Sequence, residues 1–369
     1  MADTASVITV LDACSAAGIA TILRSAPGSG KSSAVRSLAK AKGVMCETVL
    51  GSLREPSDFA GLPVITDAGV RLEAPSWAKR LAAAGEGILL LDELTTSPPA
   101  VQAAMLAVVL DRTVGDLQLP KDVQVIAACN PPDQAAGGYD LEPPLANRLC
   151  HIDFEPAIDE WLDGMATGWS AQPASRAGIA SPSQKAAAVA SVIGFVRHRP
   201  NLLYAYPVDR AAAGGAWPSR RTWAMAANVL AHLRTDDVAA IRTAVFGLVG
   251  EGAGAEYLTW AATADLPDPS EVTEDPSIVN WAAESKRPDR VWAVLTGVVT
   301  LAAHRGTVEA FRKAWGPLSA AAGAGMLDVA GAAALTLTKA RPAKAAIPNA
   351  ARMFIPILQD AGLLKKGAA

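Results

Sequence analysis

Gly28, Gly30, Lys31 and Ser32, within the run SAPGSGKSS at 25–33, are residue types that together handle phosphate. Small residues let successive backbone N–H groups turn toward one anion, a lysine supplies a point cation, and the hydroxyl after it suits a divalent cation. The N–H groups of Gly28, Ser29, Gly30 and Lys31 would cradle the phosphates of a nucleotide such as ATP, with Lys31 reaching the β- and γ-phosphates and Ser32 ligating Mg²⁺. Pro27 stiffens the entry to the loop, and Pro27 and Ser33 complete the binding set. The usual pattern has glycine where this chain has Ser25, a residue that tolerates tight turns.

A second chemical pair closes the apolar run GILLLDE: Asp92 and Glu93. Burying charge without a partner is costly, so two carboxylates at the end of an apolar strand call for a ligand. Asp92 is suited to hold Mg²⁺ through water and Glu93 to take a proton from an attacking water. A third group, Asn130 in AACNPPD, follows another apolar run and would orient that water against the γ-phosphate; alone, the same residues read as an Asn-Pro turn.

Positioning these groups requires strands that all end at one edge. IATIL (19–23), VMCETVL (44–50), GILLLD (87–92), VQVIAAC (123–129) and CHIDF (150–154) alternate with helical stretches, which predicts a parallel sheet covered on both faces. The third strand is apolar throughout, as a strand buried on both faces should be. After Phe154 the pattern turns helical, and ADLPDPSEVTEDPS at 264–277 reads as a linker or domain edge.

Composition narrows the class. The 369 residues carry a net charge of −3 without a dense Lys/Arg cluster, which disfavours nucleic acid as the main partner. Four cysteines and four histidines are scattered without metal-ligand or disulfide spacing, as in a reducing compartment. The start lacks a secretory pattern, and the most apolar window, 318–337, is Ala/Gly-rich and holds Asp328, so no membrane insertion and a cytoplasmic location are expected.

In order, SAPGSGKSS, GILLLDE, AACNPPD, PPLANR and PSRRTW make the chain resemble the AAA+ ATPases and, within them, the MoxR family, over about residues 1–270. The resemblance implies an α/β P-loop core with a five-stranded parallel sheet of order 5-1-4-3-2, an all-α lid and a C-terminal helical region. It divides the chain at 1–155 (nucleotide-binding core), 156–270 (lid) and 271–369 (extension). By motif, Glu93 follows the Walker B Asp92 and Asn130 becomes the first sensor. Arg148 takes the arginine-finger position and Arg221 the second-sensor position, with Arg220 an adjacent competitor. Only a closed lid would bring Arg221 to the γ-phosphate. LREPSDFAGLPV at 53–64 is similar to the segment before the family's extra hairpin, and LQLPKD at 117–122 looks like the tip of a second. The family also implies a ring, usually of six copies, that remodels a protein client, with a von Willebrand factor A-type partner. Two other readings stand beside it: a nucleotide-gated binding module with little hydrolysis, and a nucleic-acid motor or loader.

Overall fold

Five strands line up as expected from their apolar runs, each within a residue or two of the predicted bounds. The computed structural model describes residues 3–131, 134, 138–167 and 174–364. Its parallel sheet contains β1 (Ala20–Arg24), β2 (Cys46–Leu50), β5 (Glu86–Asp92), β8 (Asp122–Cys129) and β9 (Leu149–Asp153). Their spatial order is β2-β5-β8-β1-β9, which is 5-1-4-3-2 when these five strands are counted along the chain. β5 and β8 lie inside the sheet and are buried along nearly their whole length. Apolar side chains cover both faces because every strand-to-strand connection crosses over the sheet.

Two compact units emerge, one of residues 1–178 with 204–255, the other of 179–203 with 256–369. In the first unit, α1 (Thr4–Ala16), α2 (Lys31–Lys42), α3 (Ser76–Ala84) and α4 (Pro99–Asp111) belong to the α/β core. Next come α5 (Ile158–Thr167), α7 (Arg220–Leu230) and α8 (Val238–Val249). α7 and α8 pack on α1, and α8 also on β9, so α8, from the expected lid, lies against the edge strand of the sheet. Gly247 makes that closeness possible: a Cβ there would meet the His151 carbonyl oxygen at 2.3 Å. Asp3 caps α1 by accepting from the Ser6 N–H at 2.7 Å, and Ser219 caps α7 in a capping box with Thr222.

The second unit is all helical. α6 (Pro182–His198), with its own Ser181–Gln184 capping box, packs along α10 (Pro288–Arg305), where α9 denotes Glu251–Ala264. α11 (Val308–Gly323) and α12 (Leu327–Lys339) complete a core around Phe311, Trp315, Leu318 and Phe354. Trp315 is wholly buried, and truncating such a residue to Ala typically costs about 3–5 kcal/mol. The stretch read as a linker or domain edge, 264–277, contains a short helix, Pro269–Glu274, whose Val272 belongs to this core. Pro269 there starts a helix and does not interrupt one, and Asp268 caps it. Among the described residues no helix is long and apolar enough to cross a membrane.

Two small antiparallel hairpins leave the core, β3 (Leu62–Thr66) with β4 (Gly69–Glu73), and β6 (Thr113–Val114) with β7 (Leu117–Gln118). The second turns at 115–116, so LQLPKD is its outgoing strand and the approach to β8, not its tip. The hairpins are tied together. The Asp116 N–H donates to the Leu72 carbonyl and the Asp116 carboxylate accepts from the Leu72 N–H, both at 2.9 Å. At Gly61 a Cβ would stand 2.8 Å from the Gly115 Cα.

Candidate functional site

The phosphate loop is built where β1 ends. Buried Ala20–Leu23 carry the chain to Arg24, and Gly28 (φ 82°) and Gly30 (φ 89°) turn left-handed into α2. Both have open space where a Cβ would stand, so conformation and not crowding selects glycine there. Ser25, in the place of the usual glycine, is buried, and its hydroxyl hydrogen-bonds that of Ser29 across the loop. Pro27 and Ser33 are exposed at the two ends of the turn.

Lys31 opens α2 and is buried to 8% exposure. Its ammonium donates to the carbonyls of Ser25 (2.7 Å) and Ala26 (3.1 Å) and to the Asn130 side-chain oxygen (3.0 Å). Burial pushes its pKa down, opposed by the charges of Cys129 and Asp92. The next residue, Ser32, donates from its hydroxyl to Asp92 Oδ2 at 2.6 Å, while the Glu93 N–H donates to Asp92 Oδ1 at 3.0 Å. One carboxylate oxygen of Asp92 is therefore held by the start of α2 and the other by the Glu93 backbone. Lys31, Ser32, Asp92 and Asn130 come from two strand ends and one helix start, and the sheet brings all four together.

Glu93 sits beside them in the left-handed region (φ 58°), uncommon for a residue with a side chain and typical of functional positions. Its carbonyl accepts from Thr96 (2.9 Å) and Ser97 (3.2 Å), which hold that conformation. Its carboxylate is exposed and accepts a hydrogen bond from the Ser52 hydroxyl. Sequence reasoning missed Ser52, which belongs to no motif. The signal available was its place, just past the end of β2, the strand that pairs with β5 so that Leu50 stands beside Asp92.

Arg148 and Arg221 are not at this edge. Arg148 precedes Leu149, which pairs with Ala20 at the start of β1, whereas the loop follows Arg24 at its end. Four residues at ~3.3 Å each put the two about 13 Å apart along the strand. Arg221 lies with Arg148: the Ser219 hydroxyl that caps α7 donates to the Asn147 side chain at 2.9 Å. Burial, and then the nearby Arg221 charge, push the Arg148 pKa down. Arg148 donates to the Pro144 carbonyl, and its Nε is buried without a hydrogen-bond partner. The packing of α7 on α1 and the Ser219–Asn147 bond start that helix at the end of the sheet opposite its own phosphate loop.

The donors fit a magnesium nucleotide. Oxygen ligands are what Mg²⁺ selects, and it keeps few protein ligands when phosphates share its shell. Ser32 and Asp92 supply two such oxygens, and among the described residues no three His, Cys, Asp or Glu side chains converge as a metal site of their own.

The sheet order and the phosphate loop are those of an AAA+ α/β core. Residues 20–149, about a third of the chain, match the family model described as AAA domain (dynein-related subfamily). No curated protein matches the chain. Among solved structures, the chain is similar to a candidate ATPase from Cytophaga hutchinsonii ATCC 33406, solved at 2.00 Å. The two share 16% identity over 68% of this chain and 82% of that one, with a TM-score of 0.44.

Proposed function

We propose that the protein is an Mg²⁺-dependent ATPase that hydrolyses ATP at junctions between copies of itself. The observation that carries this is the single cluster of Lys31, Ser32, Asp92 and Asn130 with Glu93 at its rim. The loop N–H groups, the start of α2 and Lys31 bind and orient the phosphates. Ser32 and Asp92 would hold Mg²⁺, which supplies charge neutralisation at the β- and γ-oxygens. Glu93 takes the proton of the attacking water as its oxygen bonds to the γ-phosphorus and the bond to the β,γ-bridging oxygen breaks, leaving ADP and phosphate. Asn130 orients that water. Arg148 and Arg221, gathered at the far edge of the sheet, would serve a neighbour's γ-phosphate, and that placement supports an oligomer over a monomeric switch.

A finer reading is that the machine is MoxR-like, cytoplasmic and ring-forming, hexameric by resemblance, and remodels a protein client, with a von Willebrand factor A-type protein as partner. What supports it is the ordered motif series together with two hairpins, one formed by 62–73 and one turning at 115–116. The β3–β4 hairpin exposes Ile65 (89%) and Val70 (68%), as a client-facing element would. Glu93→Gln tests the core of the proposal. It should bind a fluorescent ATP analogue as the parent does and lose turnover by roughly 10²–10⁴-fold, the usual effect of removing a general base. Turnover at the parent rate would remove Glu93 from the reaction.

A further inference from the structure

The helix that follows β9 has an apolar stripe that stands exposed, with nothing among the described residues covering it. Ile158 (78% exposed), Trp161 (53%), Leu162 (51%) and Met165 (56%) recur at i, i+3, i+4 and i+7 on α5, one continuous face. Single exposed apolar residues are ordinary, but a full stripe with a tryptophan marks an interaction surface. Exposed Asp159 and Asp163 flank it and form no ion pair among the described residues.

α5 stands at the phosphate end of the sheet. It begins just past β9, after Phe154, whose N–H donates to the Arg24 carbonyl at 2.8 Å, one residue before the loop. Glu160 ties it to the start of α1 by accepting from the Thr4 hydroxyl at 2.5 Å. The opposite end carries complementary chemistry. Arg148 and Arg221 lie close there, exposed Arg220 precedes Arg221 at the start of α7, and the Ala205 N–H donates to the Pro218 carbonyl at 3.0 Å on the same stretch of chain. That bond sets Tyr204 (54% exposed) and Tyr206 (50%) edge-on against Trp217. Tyrosine and arginine are the residues enriched where protein partners bind.

We infer that the α5 stripe seats the arginine edge of a second copy of this chain, delivering that copy's Arg148 to this copy's phosphate loop. The inference rests on the proposed hydrolysis between copies and names the surface that makes it. The site is incomplete without the second copy, since Arg148 cannot reach its own loop. An acidic, apolar helix on one end and an arginine–tyrosine surface on the other make a head-to-tail contact, the kind that closes into rings.

The test is sedimentation velocity with a slowly hydrolysed ATP analogue. Trp161→Ala with Leu162→Ala should weaken self-association by about ten-fold or more, as loss of a central aromatic does. Both residues are exposed, so binding of a fluorescent ATP analogue should be unchanged and reports that the variant is folded. Asp163→Arg should weaken assembly too, and adding Arg220→Glu in the same chain should restore part of it. If the parent assembles and the α5 variants assemble equally well, or if Arg220→Glu worsens the charge reversal, the α5 seat is wrong while hydrolysis between copies stands. A parent that stays monomeric at every concentration, with full turnover, overturns both.

Discussion

Replacing Arg148 by Ala separates action within one copy from action between copies, because the structure fixes how much each can contribute. About 13 Å of strand lies between Arg148 and its own phosphate loop. Across that distance, at an effective dielectric of about 20, two unit charges interact by about 1.3 kcal/mol. That corresponds to a factor of about 10 in rate. Salt with a screening length of about 8–10 Å lowers it further. A guanidinium touching a neighbour's γ-phosphate contributes about 10³–10⁵. Arg148→Ala is therefore expected to keep ATP binding and lose turnover by about 10³-fold or more. Steady-state phosphate release, followed against protein concentration, measures it. Mixing Arg148→Ala with Lys31→Ala, which has an intact arginine edge and a disabled loop, should restore part of the activity in a concentration-dependent way. Arg221→Ala should be rescued by the same partner, since it shares that edge. A loss of less than ten-fold, or an absence of rescue, would refute the reasoning.

Two further outcomes follow from single contacts. Ser52→Ala frees the Glu93 carboxylate from a hydrogen bond that competes with the attacking water; hydrogen bonds to charged groups contribute about 1.5–3 kcal/mol when buried and less when exposed, as here. Basal turnover should rise a few-fold, and a fall would make Ser52 a residue that positions Glu93 productively. His151, fully buried on β9 with Nε2 bonded to the Ala146 carbonyl at 2.9 Å, has its pKa pushed by burial, and then by Arg24, down to about 3. The unfolded chain takes up that proton near pH 6.5 and the folded chain does not, so stability is full above about 6.5 and declines as pH falls toward 3. The window is worth at most about 5 kcal/mol, and His151→Gln should flatten the pH dependence of the urea midpoint between pH 4 and 7; equal slopes would exclude it.

The strands were legible because each is a run of apolar residues long enough to be buried on both faces, and the loop because glycine and lysine spacing reflects a backbone need. Lys31, Ser32, Asp92 and Asn130 could be read from sequence for the same reason: parallel strands deliver their ends to one edge. Three things were not legible. The partition into units depends on α6 packing along α10, helices about ninety residues apart in the chain, and no local composition records that pairing. The place of Arg221 depends on which end of the sheet α7 starts from, while its sequence announces only a capped helix start. Pro and acidic residues at 264–277 resemble a linker, yet Pro269 and Asp268 are equally good first residues for a helix, and the buried Val272 settles the choice through tertiary packing.

The wiring around Glu93 ties the reaction centre to the exposed hairpins. Gly51 and Ser52 form the passage from β2 toward β3, and both touch the carboxylate's supports. Ser52 holds the carboxylate itself, and a Cβ on Gly51 would lie 2.1 Å from the Ser97 Oγ, the atom that bonds the Glu93 carbonyl. Farther out, Gly61 and Gly115 press the first hairpin onto the second, and Asp116 clasps Leu72 from both directions. A side chain at any of these glycines would force the neighbours apart, so the chain keeps backbone against backbone where the insertions join the core. A close-packed contact of this kind transmits displacement instead of absorbing it. Residues 51–61 thus link the exposed β3–β4 hairpin to the Ser52–Glu93 hydrogen bond by a short stretch of packed backbone.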